Sequence, residues 1–210
     1  ALYAILALKG FFPVEEVYTF DAIDSRMQGH PDMTKTPGVD MASGSLGTGA
    51  SPGLGMALAA RRLGKRFHTW ALLGDGEIEE GQVWEMAWVA SHYAVDNYTV
   101  IVDWNRVQQF GFPKDGNLRH RINPLPEVPA KWRAFGWHVI ECDGHDFDAL
   151  YDAMEEAKRT RGRPTCIVAH TVKGKGVSFM EGDYNWHAKV PSAEELAKAY
   201  AELDAQLPRA

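Results

Sequence analysis

The chain has 210 residues, 45% of them hydrophobic and 24% charged, and a formal net charge of −6. This length and composition suit one globular domain over residues 1–210 with a sizeable core. The acidic balance argues against nucleic acid or an anionic membrane as the main partner, no apolar run is long enough to span a membrane, and an anionic substrate would have to be drawn by local charge.

Residues 1–9 read as a short apolar helix with Gly10 as its stop. The stretch lacks a basic leader and a following cleavage pattern, so it reads as a helix and not a signal peptide. Pro13 is placed to open a second helix over residues 14–20. Residues 25–40 show no periodicity and hold Gly29, Pro31, Pro37 and Gly38, which predicts a loop. His30, within it, reads by itself as a surface histidine beside a proline. Gly44-Ser45-Leu46-Gly47-Thr48-Gly49 then precedes a small-residue helix over 52–63. Glycines before a helix can cradle an anion or let a ligand ring lie on the backbone; they can equally serve close packing, and the local sequence leaves both open. No strand stands immediately before them, so they do not form a dinucleotide fingerprint.

Residues 67–73 read as a buried strand, 80–93 as a helix and 98–103 as a second buried strand. Gly74-Asp75-Gly76-Glu77-Ile78-Glu79-Glu80-Gly81 follows the first strand and Asn105 follows the second. An acidic residue and an amide thus stand just past the carboxyl ends of two strands, the edge at which open α/β sheets bind ligands. Both offer oxygen, which suits a hard cation such as magnesium. Glycines on either side of Asp75 would let a diphosphate approach the backbone. In the helix, Val83, Met86, Ala87 and Ala90 form an apolar stripe that Trp84 and Trp88 extend well round the surface. Such a helix is expected to be deep core or to meet another subunit. Glu80 and Glu85 would then need partners, unless both are simply solvated at a helix end.

Residues 106–129 are the most irregular stretch, with Pro113, Pro124, Pro126 and Pro129 and the basic residues Arg106, Lys114, Arg119, His120 and Arg121. A loop of this length is either a functional edge or solvated surface. Strands are predicted over 137–142 and 164–170, with a helix over 147–160 whose apolar face is Ala149, Leu150, Ala153, Met154 and Ala157. Lys173-Gly174-Lys175-Gly176 is a basic loop after a strand end, either solvated or an anion-attracting rim. Trp186-His187 lies in another irregular run, and Pro191-Ser192-Ala193-Glu194-Glu195 starts a closing helix to about residue 203. The two cysteines, Cys142 and Cys166, lie in apolar strand-like runs. They read as buried free thiols in a reducing, cytoplasmic compartment.

Alternating strands and helices argue for a mainly parallel sheet covered on both faces. The motif Gly74-Asp75-Gly76, Glu80-Gly81 and Asn105, with thirty positions between Asp75 and Asn105 (105 − 75), resembles the thiamine diphosphate motif of the transketolase family. Gly29-His30-Pro31-Asp32, residues 131–137, Asp143-Gly144-His145-Asp146 and residues 171–181 are similar to split transketolases, whose N-terminal half is a separate polypeptide. The resemblance implies a three-layer thiamin diphosphate-binding α/β fold. It implies thiamine diphosphate with magnesium (or calcium or manganese), held by Asp75, Asn105 and the backbone carbonyl of Val107. Gly74, Asp75, Gly76 and Glu77 would shape the diphosphate pocket, and Gly44, Ser45, Leu46 and Gly47 would lie against the thiamine ring. His30 and His187 would face substrate, His187 beside the cofactor, and Glu80 would join a carboxylate network across a subunit interface.

The implied reaction moves a two-carbon ketol unit between sugar phosphates. It would be performed with a C-terminal, pyrimidine-binding subunit, in a heterotetramer or around a homodimer core. Thr48 stands where the family usually has glutamine, and the 106–129 connection is longer than the family's. Family members start earlier, with two more active-site histidines, so this chain is expected to lack the first segment of its domain. The glutamate that activates the cofactor's aminopyrimidine belongs to the family's next domain. Alternatives are a dihydroxyacetone synthase or deoxyxylulose-phosphate synthase type of enzyme, or a non-catalytic cofactor-binding remnant.

Overall fold

The computed structural model describes residues 1–108 and 127–207. Of the irregular stretch, Pro113, Lys114, Arg119, His120, Arg121, Pro124 and Pro126 lie outside the described residues.

Among the described residues, four strands form one parallel sheet: β1 (Thr69–Gly74), β2 (Tyr98–Trp104), β3 (His138–Asp143) and β4 (Thr165–His170), in the order β1-β2-β4-β3. The register sets Gly74 beside Asp103, Trp104 beside His170 and Asp143 beside His170. All four carboxyl ends therefore finish along one edge. The central strands read as apolar runs because both their faces are covered. The helices are α1 (Leu2–Leu8), α2 (Ala50–Arg62), α3 (Gly81–His92), α4 (Val128–Ala134), α5 (Phe147–Arg159) and α6 (Ala193–Asp204). On one face, Leu54, Ala57, Val83, Met86, Ala90 and Trp132 of α2, α3 and α4 close on Leu73, Val100, Val102, Cys166 and Val168. On the other, Ala153 and Ala157 of α5 close on Ile167, flanked by Ile101 and Ile140. The result is the expected α/β architecture, a parallel sheet between helices.

Local chemistry explains the helix limits. Asp146 caps α5 by accepting from the N–H groups of Asp148 and Ala149 at 2.9 and 3.1 Å, and Ser192 and Glu195 form a reciprocal capping box at the start of α6. Tyr98, fully buried, donates its hydroxyl to the Ala50 carbonyl at 2.7 Å, which anchors the first turn of α2 to the centre of the sheet. A separate cluster of Tyr3, Leu6, Ala7, Phe12 and Met27 ties α1 to the 25–40 loop.

Three expectations need correction. The strand predicted over 67–73 is not buried: β1 is an edge strand, Leu72 is 71% exposed and Phe67, before the strand, 52%. Residues 14–20 form a 3₁₀ turn, Val14–Thr19, and not an α-helix. Helix α4 was not foreseen. Its N-cap, Glu127, takes a left-handed φ of 60°, and Pro129 sits in its first turn, where proline starts a helix instead of breaking one.

The cysteines are free, Cys166 buried and Cys142 half-buried. Burial pushes both thiols up, Cys142 also through the nearby carboxylates of Asp143 and Asp146. Among the described residues no helix is long and apolar enough to cross a membrane.

Candidate functional site

The site grows from the carboxyl ends of β1 and β2. Asp75 is 2% exposed. Its N–H donates to the Asp103 carbonyl at 3.2 Å, which continues the β1–β2 pairing one residue past Gly74. After β2 the chain turns sharply at Arg106, whose φ of 62° is unusual for a non-glycine residue. The turn wraps residues 105–108 around Asp75. The Arg106 N–H donates to Asp75 Oδ2 at 2.6 Å, and the Val107 N–H to Asn105 Oδ1 at 2.9 Å. Gln108, buried, donates to the Asp75 carbonyl at 3.4 Å and to Glu79 Oε1 at 2.9 Å. Asp103 accepts from Asn105 Nδ2 at 3.4 Å and from the hydroxyl of Thr171, the residue after β4, which therefore also supports the turn. The Arg106 guanidinium lies 4.5 Å over the Trp104 ring and bonds His170 Nδ1 at 2.8 Å.

Asp75, Asn105 and the Val107 carbonyl together offer a carboxylate, an amide oxygen and a peptide oxygen. That is a hard-oxygen set suited to magnesium, calcium or manganese and ill suited to soft metals. Among the described residues no group of three or more His, Cys, Asp and Glu side chains could hold a metal. A cation here would depend on the amide, the peptide carbonyl and oxygens of its own ligand.

A second arm comes from the segment before α2. The Glu77 carboxylate bridges the two arms, accepting from the Gly47 N–H at 2.9 Å and the Gly74 N–H at 3.1 Å. Gln82 Nε2 donates to the Leu46 carbonyl at 3.1 Å. Gly47 has a φ of 77°, and a Cβ there would come within 3.0 Å of Glu80 and Gln82 side-chain atoms. Gly44 is constrained differently: a Cβ on it would lie 2.6 Å from the His30 ring. His30 is thus seated on the backbone of the glycine segment. Thr48 turns back on its own segment, its hydroxyl donating to the Ser45 carbonyl at 2.6 Å. A cavity of about 790 Å³ runs along β1 and takes in Gly44, Ser45, Leu46 and Glu77.

The fold therefore brings together His30, Gly44, Ser45, Leu46, Gly47, Gly74, Asp75, Gly76, Glu77, Asn105 and Val107. One expected residue stands apart, and another lies beside the group but exposed. His187 is exposed on a 3₁₀ turn, Tyr184–His187, and among the described residues no hydrogen bond joins it to this group. Glu80 is the N-cap of α3 and exposed, as is Glu85, so within this chain neither is buried as the apolar reading of α3 anticipated. Sequence reasoning missed Asp103, Gln108 and Glu79. The one legible signal was Asp103, a carboxylate closing an otherwise apolar strand.

The family model described as transketolase, thiamine diphosphate binding domain, matches residues 1–206. The chain belongs to the transketolase family. A 6-deoxy-6-sulfo-D-fructose transketolase subunit of Clostridium sp. is 43% identical over 97% of this chain and 72% of its own length. An apulose-4-phosphate transketolase subunit of Actinobacillus succinogenes is 40% identical over 96% of this chain and 70% of its own. Among solved structures, a Pichia stipitis transketolase in complex with xylulose 5-phosphate superposes with a TM-score of 0.88 at 27% identity, covering 97% of this chain. The present chain spans 31% of that crystallised transketolase.

Proposed function

We propose that this transketolase-family chain binds thiamine diphosphate with a divalent cation. Together with a pyrimidine-binding partner subunit, it would transfer a two-carbon ketol unit from a ketose phosphate to an aldose phosphate. One observation carries the reading. A nearly buried carboxylate at the carboxyl edge of a parallel sheet accepts the Arg106 N–H from a turn that also carries Asn105 and Val107, and it has a glycine on each side. That combination suits a metal-bound diphosphate.

In this reading Asp75, Asn105 and the Val107 carbonyl hold the cation, and Gly74 and Gly76 leave space for the diphosphate. Glu77 fixes the separation between the diphosphate turn and the Gly44–Gly47 backbone, against which the thiamine lies. When bound, thiamine diphosphate supplies a carbon nucleophile and an electron sink for C–C cleavage. His30 and His187 hydrogen-bond substrate hydroxyls and move protons at those oxygens. Glu80 joins a carboxylate network at the contact with the partner. The partner, in two copies with two of this chain, closes the site and excludes water. A reducing, cytoplasmic setting accords with the two free thiols.

The test is calorimetry of thiamine diphosphate binding to the assembled complex, with and without magnesium, beside a ketol-transfer assay with and without the partner. Asp75→Ala is expected to abolish magnesium-dependent binding. Unchanged affinity and unchanged magnesium dependence would refute the assignment. Tight binding without ketol transfer would mark the chain as a cofactor-binding remnant.

A further inference from the structure

Helix α6 lies after β4, and four polar residues along it reach one neighbouring stretch of chain. Residues 195, 198, 202 and 206 follow one another at helical spacing of three and four, with Gln206 just past the helix end. Each meets the loop that leads from β4 to His187 or the segment just after it. Glu202 accepts from both the N–H and the hydroxyl of Ser178, at 2.6 and 2.7 Å. These bonds, the N–H first, hold its carboxyl below the usual carboxylate range. Gln206 Nε2 donates to the Gly176 carbonyl at 2.8 Å. Lys198 Nζ lies 5.2 Å from the Phe179 ring centroid. Glu195 pairs with Lys189 at 2.6 Å, and Lys189 Nζ sits 4.0 Å over the Trp186 ring.

The loop passes this grip on to the histidine. Trp186, the residue before His187, donates its indole N–H to the Phe179 carbonyl at 3.0 Å and meets the Phe179 ring edge-on at 5.3 Å. The Asp183 side chain caps the turn by accepting from the Asn185 N–H at 3.0 Å. From Glu202 the chain of contacts runs through Ser178, Phe179 and Trp186 to His187.

We infer that α6 is a splint for His187, and that Glu202 is a positioning residue for ketol transfer that acts through that histidine. The inference rests on the reading of His187 as a substrate-facing group.

The experiment uses the chain assembled with its partner and loaded with thiamine diphosphate and magnesium. Glu202→Ala is expected to lower kcat roughly ten- to a hundredfold, the scale of a small misplacement of a reacting group, with cofactor Kd unchanged. Glu202→Gln keeps an acceptor for the Ser178 N–H and offers an amide to its hydroxyl, so it should restore most of the rate. In a His187→Ala background, Glu202→Ala should cost nothing further, because residues acting as one unit are not additive. Amide exchange over residues 176–187 should rise in Glu202→Ala; Ser178→Ala provides a second, milder break if that variant folds poorly.

A similar fold-loss from Glu202→Ala in both backgrounds, or faster exchange with normal kcat, overturns the inference while leaving the functional reading intact. If His187→Ala itself leaves turnover untouched, the role of His187 fails and the inference fails with it.

Discussion

Glu77 joins the two arms of the site, and removing it should separate them. Its carboxylate accepts from the Gly47 and Gly74 N–H groups at 2.9 and 3.1 Å, and the residue is half-buried. Hydrogen bonds to a charged group contribute about 1.5–3 kcal/mol each when shielded from solvent. Partial exposure reduces that, so Glu77→Ala should cost about 2–3 kcal/mol in total. Glu77→Gln keeps one acceptor and should cost about half as much. The segment around Gly47 would then have to be ordered by the ligand. About 2 kcal/mol of ordering corresponds to a roughly 30-fold weaker Kd for thiamine diphosphate. Stability is read from urea melts followed by tryptophan fluorescence, where the midpoint should fall with the slope unchanged. Affinity is read by calorimetry in the assembled complex. If Glu77→Ala melts within about 0.5 kcal/mol of the parent, the range of an ordinary surface change, and binds the cofactor as tightly, the bridge does not organise the site.

Three further outcomes are expected. His187→Ala should reduce steady-state turnover with calorimetric cofactor affinity unchanged; equal loss of both, or of neither, counts against its role on substrate. Trp88, 70% exposed on α3, is a candidate anchor for the partner. Trp88→Asp should break the complex in light scattering without unfolding the chain, whereas Trp84→Asp should unfold it, because that half-buried ring lies 5.1 Å from Trp132 and 5.3 Å from Phe135. Full assembly of Trp88→Asp would place the contact elsewhere. Finally, burial first, then Lys158 and Arg161, push the His68 imidazole pKa down against an opposing effect of Asp96. Its stabilising contribution is therefore complete above the unfolded value near ~6.5 and is lost as pH falls through the folded value. The slope is at most about 1.4 kcal/mol per pH unit. Urea melts between pH 7 and pH 5 should show a shallower decline in His68→Asn, and an unchanged slope would contradict this.

The motif around Asp75 was legible because its chemistry and its spacing coincide: small residues, a carboxylate and an amide, each placed just past an apolar run. The parallel order followed from the same alternation of strand and helix. What could not be read were relations that depend on an unseen neighbour. The two tryptophans of α3 look alike along the sequence, and only the presence of α4 decides that Trp84 is covered and Trp88 is not. α4 itself was hidden behind prolines that looked like loop punctuation. The apolar composition of residues 67–73 gave no warning that β1 is an edge strand, because an edge is a property of the sheet and not of the strand. Gln108 carries no signal at all until the turn at Arg106 folds it under Asp75.

The seating of His30 on Gly44 has a consequence for substitution. Gly44 is not required by its own backbone angle; it is required because a Cβ would meet the imidazole at 2.6 Å. A Cβ at position 44 would meet the imidazole before any other group, so a substitution there has to move the His30 ring first. The two positions, fourteen apart in sequence (44 − 30), therefore form one exchangeable unit. A graft of the glycine segment from another protein has to be matched to the residue at position 30, and a redesign of the histidine removes the first obstacle to a side chain at position 44, which lines the cavity.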